Sequence, residues 1–471
     1  MKIAFIGNFN KTIFFWKISE HLRYRGHEIF WITTSSKWMR WLLDKGVLQD
    51  QILHLKISEA DSKKDSICLD LVSDIEKISG LKVKDAILMD RVVSKWDREK
   101  SVQYALYVIT MVKNWIEKNN INVIFGETTW LHEILTSSIA SYMNIYYLKP
   151  ATIRLPSQRF AFFKGYLEKE IYIIYHPEIY LQLFEDAKKI ANETRQELIK
   201  NHIKPFYWYN NSHISKPNLY YFLKILRKTY DALVYAKEDA TIKSVKYQLK
   251  YEQSHLKFLR YYAEKLGRLF EKPKANEQFI LYTLHKQPEA SVDVLGSRVA
   301  NQLELIRSIV KELPINIKLY VKEHPNALGE RKLSYLFRIK RLPGVRLIDP
   351  WVPVHELIDK SIGVLTISGT VALEAAMLNK KAGIFTDMFF DDLSNVYRLD
   401  STKDLQWFLE KKNLPWNYED EEKMARIIMN SFPGIISDPI SMPSVLDNEN
   451  IINVVNGFEM VLNDIKRRKQ K

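Results

Sequence analysis

The chain has one cysteine, Cys68, among 471 residues. A single thiol excludes an internal disulfide framework and fits a reducing, cytoplasmic setting. No uninterrupted apolar run reaches the roughly 18 residues that a membrane span requires. The opening Met1-Lys-Ile-Ala-Phe-Ile-Gly7 is too short and wrongly flanked for a signal peptide, and it reads as a strand. The loop after it, Gly7-Asn-Phe-Asn10, lacks the glycine-rich fingerprint of a dinucleotide site. No fixed period marks a repeat architecture. Acidic charge is outnumbered, and the net charge of +14 calls for a polyanionic partner or an acidic surface. Nucleic acid is not expected, because the cations are interspersed with acidic residues and no recognition module is present. Anionic lipid of the inner leaflet is the other candidate. The basic end Lys466-Arg-Arg-Lys-Gln-Lys471 could rest on it as a peripheral contact, the plain alternative being a frayed, solvated terminus.

What is present is a globular composition, 46% hydrophobic and 27% charged, long enough for two cores. Lys2 to Ile6, Ile13 to Tyr24 and His27 to Thr33 form a strand–helix–strand opening of Rossmann type. Residues 57 to 98 are mixed and carry no readable period. Ser101 to Lys118 repeats Leu106, Ile109, Val112 and Ile116 on one helical face. Ile121 to Phe125 is a buried strand, Leu131 to Tyr142 a helix, and Ile145 to Leu148 a strand closed by Pro150. Leu181 to Lys200 and Leu219 to Leu269 are helical and polar. From Gln278 a second alternation of strands and helices runs to about residue 430, and Ile451 to Lys466 is a last helix. The expected organisation is α/β, with two Rossmann-like domains facing across a cleft and a helical connection or insertion between them. The expected boundaries are 1–175, 176–275 and 276–430, followed by a helical segment and basic tail over 431–471.

Two strand ends in the second half carry residues suited to an anion. Ile315 to Val321 stops at Lys322-Glu323-His324-Pro325, where a histidine can donate to a phosphate oxygen and a lysine adds a point charge. Ile362 to Ile367 runs into Ser368-Gly369-Thr370 and then a helix, the arrangement that presents backbone N–H groups and hydroxyls to a phosphate. Its plain alternative is an ordinary helix cap. Glu374, about one turn along, would reach a ribose hydroxyl, or else simply compensate the helix dipole. His285, Gln287 and Glu289 follow the strand Phe279 to Leu284 and are placed to touch the same nucleotide, their plain alternative being a loop with a few hydrogen-bonding residues. In the first half, Glu127 is the first carboxylate beyond a buried strand and is the candidate general base, with Glu133 and His132 close by. Arg154 and Arg159 are candidates to grip a carboxylate or phosphate on a substrate. Asp387, Asp391 and Asp392 form no Asp-x-Asp pair after a strand, so no metal ion and no cofactor are expected.

Leu284-His-Lys-Gln-Pro-Glu-Ala-Ser291, Tyr320-Val-Lys-Glu-His-Pro325 and Ser368-Gly-Thr-Val-Ala-Leu-Glu-Ala375 together resemble the capsule polysaccharide biosynthesis family. Gly126-Glu127 with Glu133, and Arg154 with Arg159, resemble its first-domain motifs. The likeness is clearest over 120 to 165 and 278 to 390. It implies the GT-B fold, metal-independent sugar transfer from a nucleotide sugar to a saccharide or glycolipid acceptor, and CMP-Kdo among the candidate donors. It implies further that His324, Ser368 and Thr370 contact the donor phosphate and that Glu127 is the base. A nucleotide-sugar epimerase, a polyol-phosphate transferase and a non-catalytic sugar-nucleotide or polysaccharide binder remain as alternatives.

Overall fold

In a computed structural model of the protein, residues 1–62, 69–174, 180–201 and 219–470 are described; Cys68 and Lys471 lie outside them. The chain forms two compact units. One comprises Met1–Leu181, Tyr230–Ser244 and Ile428–Lys471, the other Gln182–Thr229 and Val245–Ile427.

The first unit is built on a seven-stranded sheet of β1 (Lys2–Ile6), β2 (Glu28–Thr33), β3 (Ile52–His54), β4 (Val123–Phe125), β5 (Tyr146–Thr152), β6 (Arg159–Lys164) and, from near the end of the chain, β13 (Ser431–Pro433). The strand order is β13-β6-β5-β4-β1-β2-β3, parallel from β5 to β3 and antiparallel at β6 and β13. These strands are apolar on both faces because helices cover both, as parallel sheets demand. On one face Phe5, Phe125 and Phe162 meet Phe458 of the helix Asn448–Gln470, with ring centroids of Phe125 and Phe162 at 4.6 and 4.8 Å from that of Phe458. Burying each such ring contributes about 1.5–3 kcal/mol. Gly457 lets that helix approach, since a Cβ there would lie 2.8 Å from the Phe160 ring. The last 44 residues therefore belong to the first unit by packing, not to a separate tail.

The second unit holds a six-stranded parallel sheet of β7 (Phe279–Thr283), β8 (Lys318–Lys322), β9 (Val345–Ile348), β10 (Gly363–Thr366), β11 (Ala382–Ile384) and β12 (Val396–Arg398). Its order is β12-β11-β10-β7-β8-β9, all neighbours parallel. Read from β7 this is the doubly wound order 3-2-1-4-5-6, and β1 to β5 of the first unit follow the same order as far as its fifth strand. The chain is thus α/β, with one Rossmann-type sheet in each unit.

Three expectations change. Pro150 does not close its strand: β5 continues to Thr152 and pairs with β6, with Pro150 opposite Phe162. Pairing with β4 ends at Leu148, so beyond it β5 is an edge on that side, where a residue without an N–H is tolerated. The helical stretch from 176 to 275 is not one connection. Its helix Leu219–Tyr235 is separated from Val245–Leu269 by a turn in which buried Asp239 accepts hydrogen bonds from the Thr34 hydroxyl at 2.9 Å and the Thr241 N–H at 2.9 Å. Residues 57 to 98 contain the helices Ile57–Ser62, Leu69–Ser79 and Val83–Met89.

Candidate functional site

In a doubly wound sheet, ligands bind beyond the C-terminal strand ends where the strand order reverses. In the second unit that point lies between β7 and β10. His285 follows β7 and its Nε2 lies 2.8 Å from Thr366 Oγ1 at the end of β10. The same nitrogen accepts the N–H groups of Ile367 at 3.2 Å and Ser368 at 3.4 Å, which puts the ring proton on Nδ1. Gly369 allows this crossing, for a Cβ there would sit 2.6 Å from Thr366 Oγ1.

The loop after β7 is held from beneath. Gln302 Oε1 accepts the His285 N–H at 2.9 Å, and Gln302 Nε2 donates to the His285 carbonyl at 3.1 Å and to Gln287 Oε1 at 3.2 Å. Arg331 donates from Nη2 to the same His285 carbonyl and from Nε to buried Glu323 at 2.9 Å. Glu323 in turn accepts the His324 N–H at 2.8 Å. The half-buried His324 thus follows β8 on a backbone tied to the β7 loop.

Several candidate ligand groups are engaged inside the unit instead. Lys322 is buried, and its Nζ donates to the Pro350 carbonyl at 2.7 Å, so it is a support for the β9 end and not a point charge for phosphate. Ser368 donates to the Ser291 carbonyl at 2.8 Å. Glu374 is paired with buried His355 at 2.9 Å, which accounts for its carboxylate without a ribose. Gln287 donates to Asp293 at 3.0 Å, and Glu289 accepts from Ser291 at 2.9 Å. The Thr370 side chain makes no cap hydrogen bond, while its carbonyl accepts the Glu374 N–H at 3.0 Å. Asp387 is bound by Arg398 at 2.9 Å and Asp391 accepts the Met388 N–H at 3.4 Å. No three His, Cys, Asp or Glu side chains are grouped to hold a metal among the described residues.

Burial pushes Lys322 down from 10.5 to about 8. An amine that prefers to be neutral when folded binds fewer protons than in the unfolded chain between those two values, so stability rises with pH through that window. The melting temperature of Lys322→Met relative to the parent should therefore fall as pH goes from 8 to 10. A difference independent of pH would show that the amine titrates normally.

In the first unit the corresponding strand ends are β1 and β4. Glu127 follows β4 through Gly126, where a Cβ would meet the Tyr147 hydroxyl at 2.6 Å. Tyr147 donates to the Glu127 carbonyl, and Lys11, the first residue of the helix after β1, forms an ion pair with the Glu127 carboxylate. Glu133 is fully buried and accepts the N–H groups of Glu127 at 3.1 Å, Thr129 at 2.9 Å and Trp130 at 3.2 Å, plus the Thr129 hydroxyl at 2.9 Å. Burial, and then the neighbouring Glu127 charge, raise Glu133 to about 7. Its oxygens are occupied in shaping the 127–130 loop, which makes it a positioning residue. Buried His132 donates to Asn8 Oδ1 at 3.1 Å and is kept neutral by burial.

The two arginines separate. Arg159 donates to the Ser431 hydroxyl at 2.8 Å and to the carbonyls of Ser431 at 2.6 Å and Ile428 at 3.4 Å, fastening β13 to β6. It is a structural residue, not a substrate grip. Arg154 is exposed in the turn between β5 and β6, with a left-handed backbone at φ 71°. Lys11, Tyr147, Gln302, Arg331 and Thr366 were not legible beforehand. Lys11 alone had a signal, being the first cation after the opening strand's loop.

Residues 206–393 match the family model described as capsule polysaccharide biosynthesis protein, which bears out the resemblance read from the motifs of that stretch. No protein of curated function matches the chain. Among solved structures, it is similar to a Thermosulfurimonas dismutans KpsC β-Kdo 2,7 transferase at 13% identity and TM-score 0.32, covering 74% of this chain and 89% of that one. It is similar also to the UDP-GlcNAc 2-epimerase of Methanocaldococcus jannaschii at 15% identity and TM-score 0.26, covering 91% and 99%.

Proposed function

For a chain whose residues 206–393 carry the capsule polysaccharide biosynthesis signature, we propose a glycosyltransferase that moves a sugar from a nucleotide sugar to a saccharide or glycolipid acceptor. The observation that supports it most is the switch point of the second unit, where the braced β7 loop, His324 after β8 and the 368–370 turn after β10 converge at adjacent strand ends. In this reading the donor phosphate lies against His324 and the Gly369-Thr370 backbone and hydroxyl. The acceptor oxygen attacks the anomeric carbon and its proton passes to the Glu127 carboxylate. The bond from the anomeric carbon to the phosphate oxygen breaks, and the nucleotide leaves with the electron pair, its charge met by His324. No divalent ion is assigned a role.

CMP-Kdo is the first donor to test, because the motif resemblance includes enzymes that use it. Calorimetry with CMP, CDP, UDP and GDP should find one nucleotide that binds. His324→Ala should weaken that binding by about 1.5–3 kcal/mol, the range for a hydrogen bond to a charged group. Unchanged affinity in the folded variant would falsify the donor assignment.

A further inference from the structure

The helix Leu219–Tyr235 carries its large apolar side chains outward. Leu219, Phe222, Leu223, Leu226, Tyr230, Leu233 and Val234 are all exposed, Leu226 to 65%. At 100° per residue they fall within an arc of about 120°, a stripe roughly 22 Å long. The opposite side is the one that packs: Ala232 is buried, and Tyr221 donates to Glu252 at 2.6 Å. Scattered exposed leucines need no explanation, but seven aligned large side chains on one helix do.

Charge along the helix narrows the occupant. Its only acid, Asp231, is paired with Lys37 at 3.6 Å, and Lys228 faces Glu252 at 3.7 Å. Arg227 is exposed about 20° beyond the edge of the stripe, Lys224 points about 80° beyond it, and exposed Lys237 follows the helix end. A second copy of this chain would bring the same cations against the same cations. An anionic bilayer surface complements both features at once: acyl chains take the apolar stripe, and phosphate headgroups take Arg227 and Lys237. We propose that the helix Leu219–Tyr235 is an in-plane docking element for an anionic lipid surface. The basic chain end is a weaker candidate, since Arg468 is bound to Asp464 at 2.7 Å and to the Ile173 carbonyl at 2.6 Å. The proposal stands independently of the transferase reading.

The test is co-sedimentation of the full chain with phosphatidylcholine vesicles, with and without one-third phosphatidylglycerol. The parent should bind the phosphatidylglycerol vesicles, and binding should weaken as salt is raised. Leu226→Glu combined with Leu233→Glu should lower the bound fraction at least about tenfold, because charge replaces buried apolar surface. Arg227→Glu with Lys237→Glu should remove the preference for phosphatidylglycerol. Melting temperatures should stay at the parent value, as all four positions are exposed. Failure to bind phosphatidylglycerol vesicles at low salt, or equal binding by the leucine variant, would overturn the proposal. So would a lowered melting temperature in that variant, which means the stripe is covered by its own chain. A concentration-dependent dimer abolished by the leucine changes would assign the stripe to a second copy instead.

Discussion

Glu127→Gln should lower turnover by about 10²–10⁴ while nucleotide affinity stays where it was, the span expected when a general base is lost. The position of this carboxylate is unusually well determined. β4 is wholly buried, so its C-terminal end cannot shift without disturbing the sheet. Beyond it the Glu127 carbonyl is held by Tyr147 and its N–H by Glu133, while Lys11 takes the carboxylate. Glutamine preserves the shape and the backbone contacts but cannot accept the proton. Steady-state turnover, with the donor that calorimetry identifies, separates two cases. Lost turnover with retained folding and binding supports the base. Retained turnover with a lowered melting temperature makes Glu127 one half of a structural ion pair with Lys11. Glu133 does not stand in as a substitute base, since its oxygens already serve the loop's N–H groups.

Arg331→Met should destabilise the second unit by about 3–5 kcal/mol, the cost of leaving a buried charge without its partner. Glu323 and Arg331 are both buried and 2.9 Å apart. Burial already raises Glu323, and the Arg331 guanidinium is the largest influence holding it down. Without the guanidinium, Glu323 prefers its proton in the folded state more strongly. A carboxyl raised on folding contributes stability at low pH that is lost as pH rises, so the deficit of Arg331→Met should be smaller at pH 5 than at pH 8. Glu323→Leu combined with Arg331→Leu should recover most of the loss, because neither charge is left behind. Urea unfolding of the parent and the two variants at the two pH values gives the comparison. Equal deficits at both pH values would mean that Glu323 stays ionised without its partner. Arg331→Met should also loosen the His285 loop, which loses the donor to its carbonyl.

The sequence by itself determined the alternation of strands and helices in both halves. Leu131 to Tyr142 forms the helix its periodicity predicts, and the strand at 278–284 and the helix after Thr370 lie within a residue or two of their expected limits. These are local properties: apolar runs long enough to cross a sheet, and turn residues between them. The strand ends that carry Glu127, His285 and His324 were legible for the same reason. Tertiary structure decided what those neighbours do. Lys322 and Ser368 look like phosphate ligands in a linear reading, yet backbone carbonyls at Pro350 and Ser291 take them. Arg159 looks like a substrate grip until β13, 272 residues later, supplies the groups it binds. The buried Arg331 sits on an ordinary stretch of sequence and matters only because Glu323 and the His285 carbonyl meet it. Hydrogen-bond partners distant along the chain leave no periodic trace, and a polar side chain's role follows from which partner reaches it first.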